Sequence, residues 1–259
     1  MAISPDSYLF HLGLRRFKPD LTYLKELQRA HQERIPLENF DVFLGRKRPW
    51  DLSKLYHKII REKRGGLGLE LNAIFGELLS QLGFRTKYVA LHANKDRPQA
   101  ITHMALLVHI AGDTWLVDVG REEQILAPDR LTKDQVALNY SRYVKFYVSE
   151  AGVWAYQRSE DAVHFSPAFF FRPRESKLIE FVHLHDVMQD RTHESAIAEK
   201  RISRIKEGGR LILTEANLQW QQGRTLLRSE PIQNEAHFDI VLMEEFGISW
   251  RKLIQQEGL

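Results

Sequence analysis

The stretch Arg64-Gly65-Gly66-Leu67-Gly68-Leu69-Glu70-Leu71-Asn72 sets the terms for the chain. From it onward Leu67, Leu71, Ile74, Leu78 and Leu82 recur at helical spacing, and Gly83 follows as a stop. The spacing predicts an apolar helix that begins inside this stretch. Backbone N–H groups at a helix start point outward, and the helix dipole there favours negative charge. A nucleophile in the first turn is activated, because its anion is stabilised. The position where that nucleophile is sought holds a glycine, Gly68.

Upstream, the pattern is helical to about residue 84. Leu21, Leu24 and Leu27, then Leu52, Leu55 and Ile59, have helical spacing, with Asp51 or Ser53 as a cap. Pro36 and Pro49 mark turns or element starts. Glu38 and Asn39 sit in a short break between helices, where a capping or turn role is open to them. Downstream of Phe84 the period changes to two. Strands are expected over 86–93, 103–110, 115–119, 143–149, 153–158 and 163–171, with a hairpin turn at Gly112-Asp113. Short strands in succession imply an antiparallel sheet or small barrel. A connecting helix is expected over 174–190. Beyond it, 196–206, a Gly208-Gly209 turn, 211–215 and 223–228 imply a small antiparallel sheet. A helix over 234–246 follows, with Phe238, Val241 and Leu242 at helical spacing and Gly247 as its stop.

Composition bounds the function. The 259 residues are 43% hydrophobic and 27% charged, which is the balance of a globular protein. No apolar run approaches the ~20 residues that span a bilayer. Residues 1–10 lack a basic start followed by an apolar run, so a cytoplasmic protein is expected. The net charge of +3 permits anionic ligands without demanding them. The basic runs 46–48 and 58–64 read as solvated helix faces or turns, and no nucleic-acid motif is present. There is no cysteine. That excludes disulfides, cysteine zinc sites and any thiolate able to carry an acyl group. His183, His185 and Asp186 offer nitrogen and oxygen donors, with His193 nearby, but no residue has the local spacing expected of a fourth ligand, so no metal site is assigned.

Arg-Gly-Gly-x-Cys-x-Glu-x-Asn is the signature of the arylamine N-acetyltransferases, and residues 64–72 resemble it with Gly68 in place of cysteine. Ile35-Pro36-Leu37-Glu38-Asn39-Phe40-Asp41 resembles the family's Pro-Phe-Glu-Asn-Leu-Asp block. Thr102-His103-Met104 is similar to the strand carrying its catalytic histidine, and 115–120 to the strand carrying its aspartate. Phe246-Gly247-Ile248 is similar to its C-terminal signature. The resemblance implies an α+β fold of three lobes around a papain-like cysteine-transferase core. These would be a helical domain over 1–84, a β-barrel domain with connecting helix over 85–190, and an α/β lid over 191–259. It implies acetyl-CoA as co-substrate, a small-molecule amine acceptor, and no metal, nucleic-acid or membrane partner.

Carried over position by position, the Cys-His-Asp site falls on Gly68, His103 and Asp118. Arg64, Glu38, Glu70 and Asn72 would support it, and Gly120 and Arg121 would lie near coenzyme A. Read without the resemblance, His103 serves a packing network as well as a reaction, and Asp118, between two valines, needs a partner if buried. Thr102 is expected on the strand face opposite His103. Where the family has a second loop glycine this chain has Glu122, followed by Glu123, and both are expected to repel phosphate. The function implied is that of an impaired transferase; the alternative is a non-catalytic protein that binds acyl-CoA, an arylamine or a protein partner.

Overall fold

The structure is a computed structural model that describes residues 3–97, 99–122, 127–139, 142–190, 199–223 and 225–255. The N-terminal part is helical. Helix α1 (Pro5–Leu12) is capped by the Ser4 hydroxyl and ends at Gly13, which takes the left-handed conformation. Helix α2 (Leu21–Arg34) starts at Asp20, whose carboxylate accepts the Tyr23 N–H at 2.8 Å. A two-residue strand β1 (Leu37–Glu38) and a one-turn helix α3 (Phe40–Phe43) follow. Helix α4 (Leu52–Tyr56) is capped by Asp51. Its pattern continues through Ile59 as a π-helical turn, His57–Arg61, not as the expected α-helix. Such a turn re-aims side chains, and Lys58 within it points into the interior, 4% exposed.

Helix α5 (Gly68–Gln81) begins inside the quoted stretch, as the spacing predicts. The Glu70 carboxylate accepts the Leu67 N–H at 3.0 Å and fixes the helix start. Gly83, at φ +94°, ends it. Leu71, Ile74, Phe75 and Leu78 pack against Tyr8, Leu24, Leu27 and Leu55 from α1, α2 and α4.

The second part is an antiparallel sheet of strands β2 (Arg85–His92), β3 (His103–Ile110), β4 (Asp113–Val117), β5 (Asp129–Arg130), β6 (Ala137–Asn139), β7 (Arg142–Val148), β8 (Trp154–Ser159) and β9 (Ser166–Phe171). Their order is β5-β4-β3-β2-β9-β8-β7-β6 among the described residues. The sheet curls into a nearly closed barrel. Its two edges meet where the Asn139 amide donates to the Asp129 carboxylate at 2.7 Å and to the Ala127 carbonyl at 3.1 Å. Alternate side chains fill the interior, among them Leu91, Leu107, Phe146, Tyr156 and Phe169. The helix expected over 174–190 is shorter: a 3₁₀ turn, Leu178–Phe181, leads into α6 (Val182–Met188).

The last part has strands β10 (Arg201–Lys206), β11 (Gly209–Thr214), β12 (Asn217–Gln222) and β13 (Thr225–Pro231), then helices α7 (Glu235–Phe246) and α8 (Trp250–Gln255). Strand β12 and helix α8 were not expected; the expected strand over 223–228 is β13. The five-stranded order is β1-β10-β11-β12-β13. Strand β1 is therefore an edge of a sheet whose other strands lie over 160 residues away. That pairing sets Glu38 opposite Ile202 and brings Asn39 against Arg201. Phe40 completes the third core, against Phe238 and Trp250. Among the described residues no helix is long and apolar enough to cross a membrane.

Candidate active site

His103 opens β3, and Asp118 follows directly on β4. The β3–β4 pairing, Leu106 opposite Val117, carries both to the same end of the barrel. There His103 Nε2 lies 2.9 Å from Asp118 Oδ2 and 3.2 Å from Oδ1. The helix supplies the third member. Asn72, in the second turn of α5, donates to Asp118 Oδ1 and to the Met104 carbonyl, each at 2.8 Å, and accepts the Val119 N–H at 3.0 Å. The Gly120 N–H adds a further bond to Asp118 Oδ1 at 2.9 Å. Burial works against the charge of Asp118, but His103, Arg121 and Asn72 outweigh it and hold its carboxyl below the usual range. With Nε2–H donating to this carboxylate, the neutral ring keeps Nδ1 as an acceptor.

Gly68 stands beside them. A Cβ built on it would lie 3.2 Å from His103 Cε1, so the three carried-over positions do converge. The same Cβ would lie only 2.1 Å from the Gly120 carbonyl oxygen. A Cβ on Gly120 would in turn sit 2.2 Å from the Gly68 carbonyl. Two glycine backbones thus fill the space that a side chain on residue 68 would take.

Beneath the helix start lies a buried charge network. Arg64 grips Glu38 through Nη2 at 2.6 Å and Nε at 3.1 Å. Lys58 pairs with Glu70 at 2.9 Å and Asp41 at 3.1 Å, and Arg48 holds Asp41 with two bonds of 3.0 Å. Three carboxylates face three cations, the condition under which buried charges persist. The run 58–64 is therefore not a solvated face: its ends, Lys58 and Arg64, are buried and only its middle is exposed. His185 also joins the network. Its Nε2 meets Glu70 Oε1 at 3.0 Å, while Nδ1 accepts from the Gln189 amide at 3.1 Å. That amide is oriented by the Arg48 N–H, which donates to Gln189 Oε1. Among the described residues no group of three or more His, Cys, Asp or Glu side chains is placed to hold a metal ion. His193 lies outside the described residues.

The cleft above has a volume of about 300 Å³. Leu37, Leu67 and Met188 give it apolar walls; Asn39, Thr102, His103, Arg121, Glu122 and Arg201 give it polar ones. Thr102 precedes β3 and lines the same cleft as His103, and its hydroxyl donates to the Leu91 carbonyl at 3.2 Å. Glu122 corrects an expectation. Its carboxylate is held by Arg201 through bonds of 2.6 and 3.1 Å, so it does not present a bare charge to a phosphate. Glu123 lies outside the described residues. Arg121 pairs with Asp118 Oδ2 at 3.1 Å and lies over the Phe169 ring, 4.4 Å from its centre.

Sequence reasoning missed Asp41, Lys58, His185 and Arg201. A signal existed for the first two: the acidic 38–41 block and the basic 58–64 run are opposite in sign and both precede the same helix start. For Arg201 there was none, because its partners Asn39 and Glu122 are remote in sequence.

A family model described as N-acetyltransferase matches residues 20–254. The chain is 26% identical over 234 residues to the arylamine N-acetyltransferase of Escherichia coli, covering 87% of this chain and 81% of that one. Its fold is similar to that of the Salmonella typhimurium arylamine N-acetyltransferase, with TM-score 0.82, 23% identity, and coverage of 96% of this chain and 92% of the other. It is equally similar to the Mycobacterium marinum enzyme in complex with CoA, with TM-score 0.82, 22% identity and coverage of 96% and 94%.

Proposed function

The chain belongs to the arylamine N-acetyltransferase family, and we propose that it retains the family's substrate cleft without its covalent chemistry. In this reading acetyl-CoA and an arylamine or hydrazine acceptor enter the cleft between Leu37 and Arg201. The cleft lies where three domains meet, over 1–84, 85–190 and 191–259. No acyl-enzyme forms. The observation that carries the reading is the Gly120 carbonyl at the place of a Cβ on residue 68, in a chain without cysteine.

What remains is a base and its orienting groups. His103 Nδ1 takes a proton from the acceptor amine as the amine nitrogen attacks the thioester carbonyl. The C–S bond breaks, and the departing CoA thiolate recovers that proton from His103. Asp118, fixed by Asn72, stabilises the transient imidazolium. Such direct transfer lacks the two-step path that a thiol provides, so it is slow. Removing a nucleophile can leave the orienting parts partly useful. The second reading, a non-catalytic protein that binds acyl-CoA, an arylamine or a protein partner, shares the same cleft.

Mass spectrometry after exposure to acetyl-CoA or an activated acetyl ester tests the proposal. The unmodified protein should gain no acetyl group. Gly68→Cys, whose side chain requires the Gly120 loop to move aside, should gain one, and Gly68→Cys/His103→Ala should gain none. Enzyme-like acetyl transfer by the unmodified protein would overturn the reading.

A further inference from the structure

A second recess lies away from the cleft, between α1 and the turn that follows the π-helical segment. Its volume is about 690 Å³, within the range of small-molecule sites. Asp6, Ser7, Phe10 and His11 line one side; they share one face of α1 by their spacing of four. Arg34, Arg61 and Lys63 line it from α2 and the turn. Three permanent cations thus face one carboxylate.

The nearby acids do not answer these cations. Glu33, next to Arg34, is bound to Arg29 at 2.8 Å, and Glu62, between Arg61 and Lys63, is bound to the His57 ring at 3.0 Å. Among the described residues Arg34, Arg61 and Lys63 make no ion pair, although all three are exposed. Lys63 takes a left-handed backbone conformation, φ +54°, just before the buried Arg64. The turn therefore directs Arg64 inward to Glu38 and Lys63 outward to the recess. The concentration of positive charge also reaches His11: burial, then Lys63 and Arg34, lower its pKa. Phe10 stands at the rim with 86% of its surface exposed.

We propose that this recess binds a multiply charged phosphate compound. Convergent cations that outnumber the one facing carboxylate, Asp6, three to one match the charge density of an oligophosphate, and arginine forks match its oxygens. The concave shape argues for a small molecule, since a lipid surface needs a protruding apolar face. The exposed Phe10 ring offers a stacking platform for a base attached to such phosphates. None of these residues belongs to the cleft, so the inference stands or falls apart from the proposed function.

Calorimetry and NMR of the histidine rings, with sodium pyrophosphate, ATP and AMP as probes at low ionic strength, test it. Pyrophosphate should bind saturably at one site and raise the pH at which His11 titrates. Arg61→Gln/Lys63→Gln should weaken binding at least tenfold without changing the melting temperature by more than a few degrees, since both side chains are exposed. Tighter binding of ATP than of pyrophosphate, with the gain lost in Phe10→Ala, identifies a nucleotide; equal binding identifies the phosphates alone. AMP should bind more weakly than either. Absence of saturable binding, unmoved His11 signals, or binding unaffected by the double substitution overturns the proposal.

Discussion

The carbonyl oxygen of Gly120 lies 2.1 Å from the place that a Cβ on Gly68 would take. The loop after β4 and the start of α5 therefore touch backbone to backbone, and neither residue tolerates a side chain without movement of the other. Gly68→Ala and Gly120→Ala should each lower stability by about 1–3 kcal/mol through overpacking. Together they should cost less than the sum of the two, because one displacement of the loop relieves both. Urea unfolding of the three variants measures this; additive losses would show the two sites to be independent.

The network under α5 should dominate acid sensitivity. Burial opposes the charge of Glu70, but Lys58 and His185 hold its pKa at about 2. A folded pKa below the unfolded one contributes stability that is present above about pH 4.5 and is lost as pH falls through about 2. Glu70→Gln should therefore be less stable by about 3–5 kcal/mol at pH 7, because it leaves Lys58 buried with one partner fewer. It should also flatten the acid limb between pH 4.5 and 2, as read by thermal melts across that range.

Asp129 should act in the opposite sense. Burial pushes its pKa up to about 6 despite hydrogen bonds from Asn139 and Tyr156. A raised folded pKa contributes stability that is full below about pH 4 and lost as pH rises through about 6, a change of about 1–3 kcal/mol. Asp129→Asn should remove that slope, which chemical denaturation at pH 4, 5, 6 and 7 would reveal. An unchanged slope would place the proton elsewhere.

The Glu122–Arg201 pair should govern anion affinity in the cleft. Glu122→Ala releases the Arg201 guanidinium from a bidentate grip, and coenzyme A should then bind several-fold more tightly, with a steeper salt dependence. Arg201→Gln should bind more weakly than the unmodified protein. Calorimetry at two ionic strengths measures both, and equal affinity in all three would show that phosphate is held away from this pair.

Local pattern made much of this protein legible. The start of α5, the run of strands from Arg85, the Gly83 stop and the convergence of positions 68, 103 and 118 could be read from spacing and from the resemblance of short blocks. Periodicity reports which face of an element is buried. It does not report what that face is buried against, and the misreadings follow from this. The 58–64 run looked solvated because its carboxylate partners lie in other segments. Strand β1 looked like a break because its partner is Ser203 and Ile202.

By itself the sequence determined the family, the α+β class, the absence of any thiol and the glycine at position 68. Only the tertiary structure decided whether the space beside that glycine is open. A missing side chain in a chain pattern is a vacant letter, compatible with an open pocket or a closed one. Close packing chooses between them, since interiors leave little space unfilled. Here the Gly120 carbonyl takes that space, with Asn72 and Asp118 fixing the loop that carries it.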